Sequence, residues 1–201
     1  TSYVDTYIGY WGSWYQGIAK TNKAIVSLKD FGKMSDEDKV RLEAEIRYIR
    51  AYIYFDLVKR YKEIIIYDEN LDAYTKDKAY STEEEGWDFV YNDLKFAADN
   101  LPARESANGR INKGMAWAFM TRAMLYAERW DVVKTAAEEV EQLGYALEKK
   151  YADVFTKGIG SGNTEAIIQY QFDRANDVTH SYDFYYTPGG DFALEGEQGG
   201  G

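Results

Sequence analysis

Residues able to do chemistry are sparse in this chain. It has one histidine, His180, and no cysteine among 201 residues. A thiolate nucleophile, a disulfide and a cysteine-based metal site are therefore excluded. His180 falls in a polar stretch and reads as a solvated surface histidine. Carboxylates number 34, yet no pair is set apart by its surroundings, as acid–base work with two separated pKa values needs. A glycosidase-type dyad cannot be argued. Asp173, Asp177 and Asp183 do not have the spacing of an EF-hand loop and read as an acidic loop rather than a calcium site. Residues 109–114, GRINKG, lack Walker A spacing and follow no strand. There is no nucleophile elbow and no HExxH pair. The residues point away from an enzyme, with no metal and no cofactor expected.

The bulk properties narrow the partners. Net charge is −10, which opposes nucleic acid, since phosphate neutralisation needs a basic face, and opposes an anionic membrane surface. Apolar residues make up 45% and aromatic ones 16%, enough for one domain with a real core. Tyrosine occurs 19 times. It buries area while keeping a hydroxyl, which suits helix packing and ligand surfaces alike. The longest purely apolar run, residues 64–67, is far too short to span a bilayer. No signal peptide is visible. The abrupt start at Thr1 and the Gly199-Gly200-Gly201 ending read as a fragment of something longer.

The elements that must position any site are helical. Over residues 3–28 two lines recur at helical spacing: Tyr3, Tyr7, Tyr10 and Trp14, then Trp11, Tyr15, Ile18, Asn22 and Ile25. Gly9, Gly12 and Gly17 weaken that helix by roughly 1 kcal/mol each relative to Ala, or permit a close crossing. Phe31-Gly32 ends it. Ser35 to Asp38 caps a long helix through residue 61, with Glu43 four residues before Arg47. Its stripe Leu42, Ile46, Ile49, Ile53 and Leu57, and a second stripe Ala44, Tyr48, Ala51 and Phe55, make it central, with Ile49 and Ile53 expected to be buried. Residues 64–67 read as extended. Ser81-Thr82-Glu83-Glu84 reads as a capping box ahead of Trp87, Val90, Leu94, Ala97 and Leu101, stopped by Pro102. Asn108-Gly109 marks a turn. Helices follow over 115–129 and from Trp130 with Val133, Ala136, Val140 and Leu143. Their short linker predicts an antiparallel hairpin resembling a degenerate tetratricopeptide unit. A strand is expected over residues 165–172, centred on Ile167 and Ile168, and loops beyond, with a turn at Pro188-Gly189-Gly190.

Residues 43–61, EAEIRYIRAYIYFDLVKRY, carry a resemblance through Glu43, Ala44, Arg50, Ala51, Tyr54, Phe55, Leu57 and Tyr61. They resemble the most recognisable helix of the SusD/RagB family. Further matches follow in the family's order: Asn22 and Ile25; Asp93-Leu94, Ala97 and Leu101-Pro102; Gly109-Arg110, Lys113 and Ala116; Gly144-Tyr145 to Leu147 with Tyr151, Asp153 and Phe155; and Asn163, Glu165 and Ile167. The departure is Lys62-Glu63-Ile64-Ile65, where family members usually have Gly-Asp-x-Pro.

The resemblance implies a mainly α fold of irregular tetratricopeptide-like hairpins, a SusD-like superhelix, with a short strand and a loop-rich tail. Residues 1–160 would form the helical region, and 161–201 a strand and loop segment running on into a further portion. It implies a glycan-binding lipoprotein on the outer face of the outer membrane. Such a protein captures oligosaccharide and hands it to a SusC-like TonB-dependent transporter, its lipid anchor lying upstream of this sequence. A glycan site needs exposed aromatic faces for pyranose C–H groups and polar neighbours for hydroxyls. Candidates are Tyr182, Tyr185 and Tyr186 with Phe184, beside Asn176 and Asp177, and also Trp11. The alternative is a helical-repeat scaffold that binds a protein partner and no glycan.

Overall fold

The computed structural model describes residues 3–72, 77–103, 110–156 and 163–168, with side chains from Tyr10 onward. The described residues form six helices, which take up just over half the chain: α1 (Tyr3–Phe31), α2 (Asp36–Tyr61), α3 (Glu83–Asn100), α4 (Lys113–Tyr126), α5 (Trp130–Gln142) and α6 (Tyr151–Thr156). From α1 to α5, each helix packs on the one before it, and α2 also touches α4. This is the mainly α, helical-hairpin architecture expected.

The helix ends follow their local chemistry. The Gly32 amide donates to Leu28 at the end of α1. The Ser35 hydroxyl accepts from the Asp38 amide, and three acidic residues fill the first turn of α2, where they favour the helix dipole. The capping box of α3 is displaced by one residue from the expected one. Thr82 and Glu85 form it, because Ser81 is committed to a backbone bridge with Ile64. Asn112 caps α4 through the Met115 amide, so that helix starts two residues earlier than the sequence suggests and ends at Tyr126.

Helix α2 is the centre, and its second expected stripe, Ala44, Tyr48, Ala51 and Phe55, is buried, but of the first stripe only Ile53 and Leu57 are. Ile53 is buried, whereas Ile49 is 45% exposed, and Leu42 and Ile46 are half-buried. The middle of the arc is Arg50, Ala51, Tyr54 and Val58, all buried. The aliphatic stripe runs along one edge of it, at about 100° per residue. The reason is Arg50, which a hydrophobic pattern scores as polar. It is 1% exposed because Asp93 neutralises it.

Close approach fixes two crossings. A Cβ at Gly17 would lie 2.9 Å from Ile53 Cδ1, and one at Gly86 would lie 2.6 Å from Val58 Cγ2. Any larger residue at Gly86 would push α3 off α2.

The strand expected over residues 165–172 is not formed at 165–168; residues 169–172 lie outside the described residues. There the backbone turns instead. Asn163 Oδ1 accepts from the amides of Glu165 and Ala166, drawing the chain into a bend. Thr164 and Ala146 share one backbone bond.

Candidate functional site

Residues 64–67, Ile-Ile-Ile-Tyr, have the composition of a strand but pair with another backbone only at Ile64. Ser81 gives that antiparallel bridge. Beyond it, side chains stand in for a neighbouring strand. The Tyr15 hydroxyl accepts from the Ile65 amide at 2.8 Å and donates to the Ile65 carbonyl at 2.9 Å. The Tyr54 hydroxyl does the same for Tyr67, at 2.7 and 2.9 Å. A phenol is one donor and one acceptor, so each tyrosine satisfies a whole residue of backbone. Burial pushes the Tyr15 phenol above the ordinary tyrosine range, although its bond to Ile65 opposes this. It therefore stays protonated and continues to donate.

Behind this segment lies a charged network. Arg50 grips Asp93 with two bonds, Nε to Oδ2 at 2.7 Å and Nη2 to Oδ1 at 2.8 Å. It also donates to Asn22 Oδ1 and lies 3.1 Å from Glu69. Asn22 in turn donates to the Tyr67 carbonyl at 2.9 Å, so the network reaches the extended segment. Burial works against the Arg50 cation, yet the bonds and charge of Asp93 and Glu69 hold it protonated, above the ordinary arginine range. Burial pushes the Asp93 carboxyl up, with Arg50 opposing. For Glu69, burial would raise the pKa, but Arg50 and Arg47 together hold it below the usual value. These groups lock α1, α2 and α3 to the extended segment. Every charge has a partner, which is what a structural network requires.

The open surface beside this lock is aromatic. Trp11 lies 4.8 Å, centroid to centroid, from both Tyr15 and Tyr61. It forms the wall shared by two hollows. One, about 350 Å³, is lined by Trp11, Gly12, Tyr15, Gln16, Ala19, Ile65 and Tyr67. The other, about 300 Å³, is lined by Trp11, Tyr61, Glu63 and Tyr80. Tyr80 is 66% exposed. A Cβ at Gly12 would meet nothing within 4 Å, so the first hollow is open along α1. Aromatic walls with one amide and one carboxylate can stack a flat apolar ring face and accept or donate at its edge.

Of the residues named from sequence, Trp11 belongs to this surface. Asn176, Asp177, Tyr182, Phe184, Tyr185 and Tyr186, with His180, Asp173 and Asp183, lie outside the described residues. Sequence reasoning did not single out Tyr61, Glu63, Gln16 or Tyr80 as site residues. Tyr61 closes the most recognisable helix and Tyr80 is an aromatic in a polar loop, so a signal existed, but neither residue sits on a stripe that includes Trp11. Among the described residues, no group of three or more His, Cys, Asp or Glu is placed to hold a metal ion. None of the described helices is long and apolar enough to cross a membrane.

The chain's similarities agree with this architecture. Residues 1–125 match the SusD-like family pattern described as starch-binding associating with outer membrane. A SusD-like protein of Bacteroides ovatus is 25% identical over 187 residues, spanning 86% of this chain and 34% of that protein. SusD-like protein P25 of Formosa agariphila is also 25% identical, over 86% of this chain and 33% of its own length. The chain thus spans about a third of the length of the curated relatives it matches. Among solved structures, a SusD-like protein from Bacteroides fragilis is 34% identical with a TM-score of 0.63, over 69% of this chain and 27% of the other. A laminarin-binding SusD-like protein is 25% identical with a TM-score of 0.65, over 73% and 34%. With the family pattern running from α1 through nearly all of α4, this chain belongs to the SusD-like family.

Proposed function

We propose that the protein captures an oligosaccharide at the cell surface and passes it to a SusC-like TonB-dependent transporter, held at the outer membrane by an N-terminal lipid anchor. The observation that carries the binding half is Trp11, an aromatic wall with an open hollow on each side. A pyranose ring laid on Trp11 would place its neighbours in the two hollows, and Gln16 and Glu63 would meet its hydroxyls. Membership of a family described as starch-binding supports the ligand class, as does the similarity to a laminarin-binding SusD-like protein. Tyr182, Tyr185, Tyr186, Asn176 and Asp177 are proposed as a second set of contacts. The proposed role is binding without catalysis: the acids of the Arg50 network, Asp93 and Glu69, are each paired with an arginine and offer a substrate no free acid or base.

Two experiments test this reading. Purification of the full-length protein from outer membranes is expected to bring a large β-barrel transporter with it; recovery as a free cytosolic monomer contradicts the delivery role. Replacing Tyr182 and Tyr185 together by Ala is expected to weaken oligosaccharide binding about thirtyfold, or ~2 kcal/mol, with the melting temperature unchanged. Unchanged affinity, or a collapsed fold, makes those tyrosines structural.

A further inference from the structure

We infer that the face of α2 between α1 and α4 docks a partner protein, through an amphipathic helix that presents apolar side chains flanked by aspartate or glutamate. This goes beyond the sugar reading, since the face shares no residue with either hollow. The face is apolar where a solvated helix side is ordinarily polar. Ile49, Tyr52 and Tyr10 are each 40% or more exposed, although the spacing of Ile49 with Ile46 and Ile53 predicts burial. Tyr52 is bracketed by Trp14 of α1 at 6.2 Å and Phe119 of α4 at 5.6 Å, and Tyr10 adjoins Trp14 at 5.6 Å. The exposed residues therefore join into one patch across three helices instead of standing singly, as an interaction surface does.

The charge of this face opposes that of the chain, which is −10 overall. Between Tyr10 and Lys29 α1 carries no acid, and α4 carries none along its whole length. Arg60 lies over the Tyr10 ring at 4.9 Å, and Lys59 and Arg122 lie over Phe55 at 4.8 and 5.8 Å. The acids on this side of α2 are committed. Asp56 holds both Lys59 and Arg60 at 2.9 Å, and Glu45 holds Arg110 at 2.7 Å. Two cations on one carboxylate leave positive charge in excess. Arg122 adds more, being exposed and without an ion pair among the described residues. An apolar floor with a cationic rim is complementary to an apolar segment with an anionic rim. From Ile49 to Arg60 the face runs about 16 Å, which is three turns of a partner helix. A sugar matches it less well, because aliphatic Ile49 offers no flat ring to stack on.

The test uses the full-length protein and two probes. The first is a random library of twelve-residue peptides selected for binding to it. The second is a benzophenone photo-crosslinker in place of the Tyr52 side chain, activated in the cells that make the protein. Selected peptides are expected to combine two or more apolar residues with a carboxylate. Their affinity should fall about tenfold in Ile49→Lys and in Arg122→Glu, with the melting temperature unchanged. The crosslink is expected on a second protein, at a segment of that same composition, and to be lost in Arg122→Glu. A library that yields no binder, peptides without carboxylates, or binding that survives Ile49→Lys overturns the proposal. So does a crosslink to the same chain, a second copy, lipid or glycan, or none at all. Oligosaccharide affinity should be unchanged in Ile49→Lys, so failure here leaves the sugar reading to its own test.

Discussion

Phe55 and Trp11 both stand in aromatic clusters that lean on α2, and their ring spacings overlap. Phe55 meets Trp87, Phe119 and Tyr126 at 6.1, 5.2 and 5.4 Å, and Tyr48 joins Phe119 at 5.7 Å. Trp11 meets Tyr15 and Tyr61 at 4.8 Å each, and Tyr15 meets Tyr67 at 6.0 Å. Residue type and spacing do not distinguish them. What lies beyond the rings does. The Phe55 cluster is closed by α3 and α4, and Phe55 is 3% exposed. The Trp11 cluster faces an extended segment held by two tyrosine hydroxyls, an asparagine and one backbone bridge, and that thin wall leaves hollows. An aromatic ring is left open where its neighbouring element is too slight to cover it.

The largest effect that separates the two clusters is expected at Phe55. Phe55→Ala should cost about 3–5 kcal/mol in urea unfolding. A loss under 1 kcal/mol would mean that the closed cluster is not the core. Ile53→Ala, on the buried edge of the same helix beneath Gly17, should cost about 2–5 kcal/mol.

On the open side, Tyr15→Phe should cost about 1–3 kcal/mol, because the Ile65 amide and carbonyl lose their partner. It should also weaken oligosaccharide binding by loosening the wall of the larger hollow. A silent Tyr15→Phe would show that water replaces the hydroxyl and that the segment needs no such lock.

Lys62 offers a smaller effect of opposite sign. It has φ 62° and ψ −73°, and the Glu63 amide donates to the Tyr61 carbonyl across it at 2.7 Å. This is a γ-turn of the strained hand. Lys62→Gly should stabilise by about 1 kcal/mol, strain relief outweighing the added freedom of the unfolded chain. A lower melting temperature would contradict the strain.

The smallest effect is acid dependence. Glu69 has a folded pKa held below its unfolded value. Its contribution is therefore fully present above the unfolded value, about pH 4.3, and is lost as pH falls through the folded one. Glu69→Gln should flatten that part of the stability profile. A profile identical to the parent's would show that Arg50 and Arg47 do not act on Glu69 in the folded state.

Much of the fold was legible because its signals are local. Gly32, Ser35 and Pro102 mark helix limits, and the Trp87 to Leu101 stripe has a single interpretation. Three features were not legible, each because a polar group makes a bond distant in sequence. Arg50 turns the buried arc of α2 away from Ile49 by pairing with Asp93, 43 residues on. Ser81 leaves the capping box to Thr82 because Ile64 claims it. Residues 64–67 are extended as expected, but past Ile64 they find their backbone partners in the Tyr15 and Tyr54 hydroxyls, which periodicity does not show. In the candidate site, Trp11 was visible as an aromatic at helical spacing. Tyr61, Glu63 and Tyr80 were not visible as its companions, since only the folded chain brings the end of α2 and the approach to α3 beside it.

Trp11→Ala in the full-length protein tests the central claim most directly, with oligosaccharide affinity and melting temperature read on the same sample. The account predicts about a thirtyfold loss of affinity, ~2 kcal/mol, and a melting temperature within a few degrees of the parent's. An unchanged affinity, or a fall in stability as large as that of Phe55→Ala, would place Trp11 in the core and contradict it.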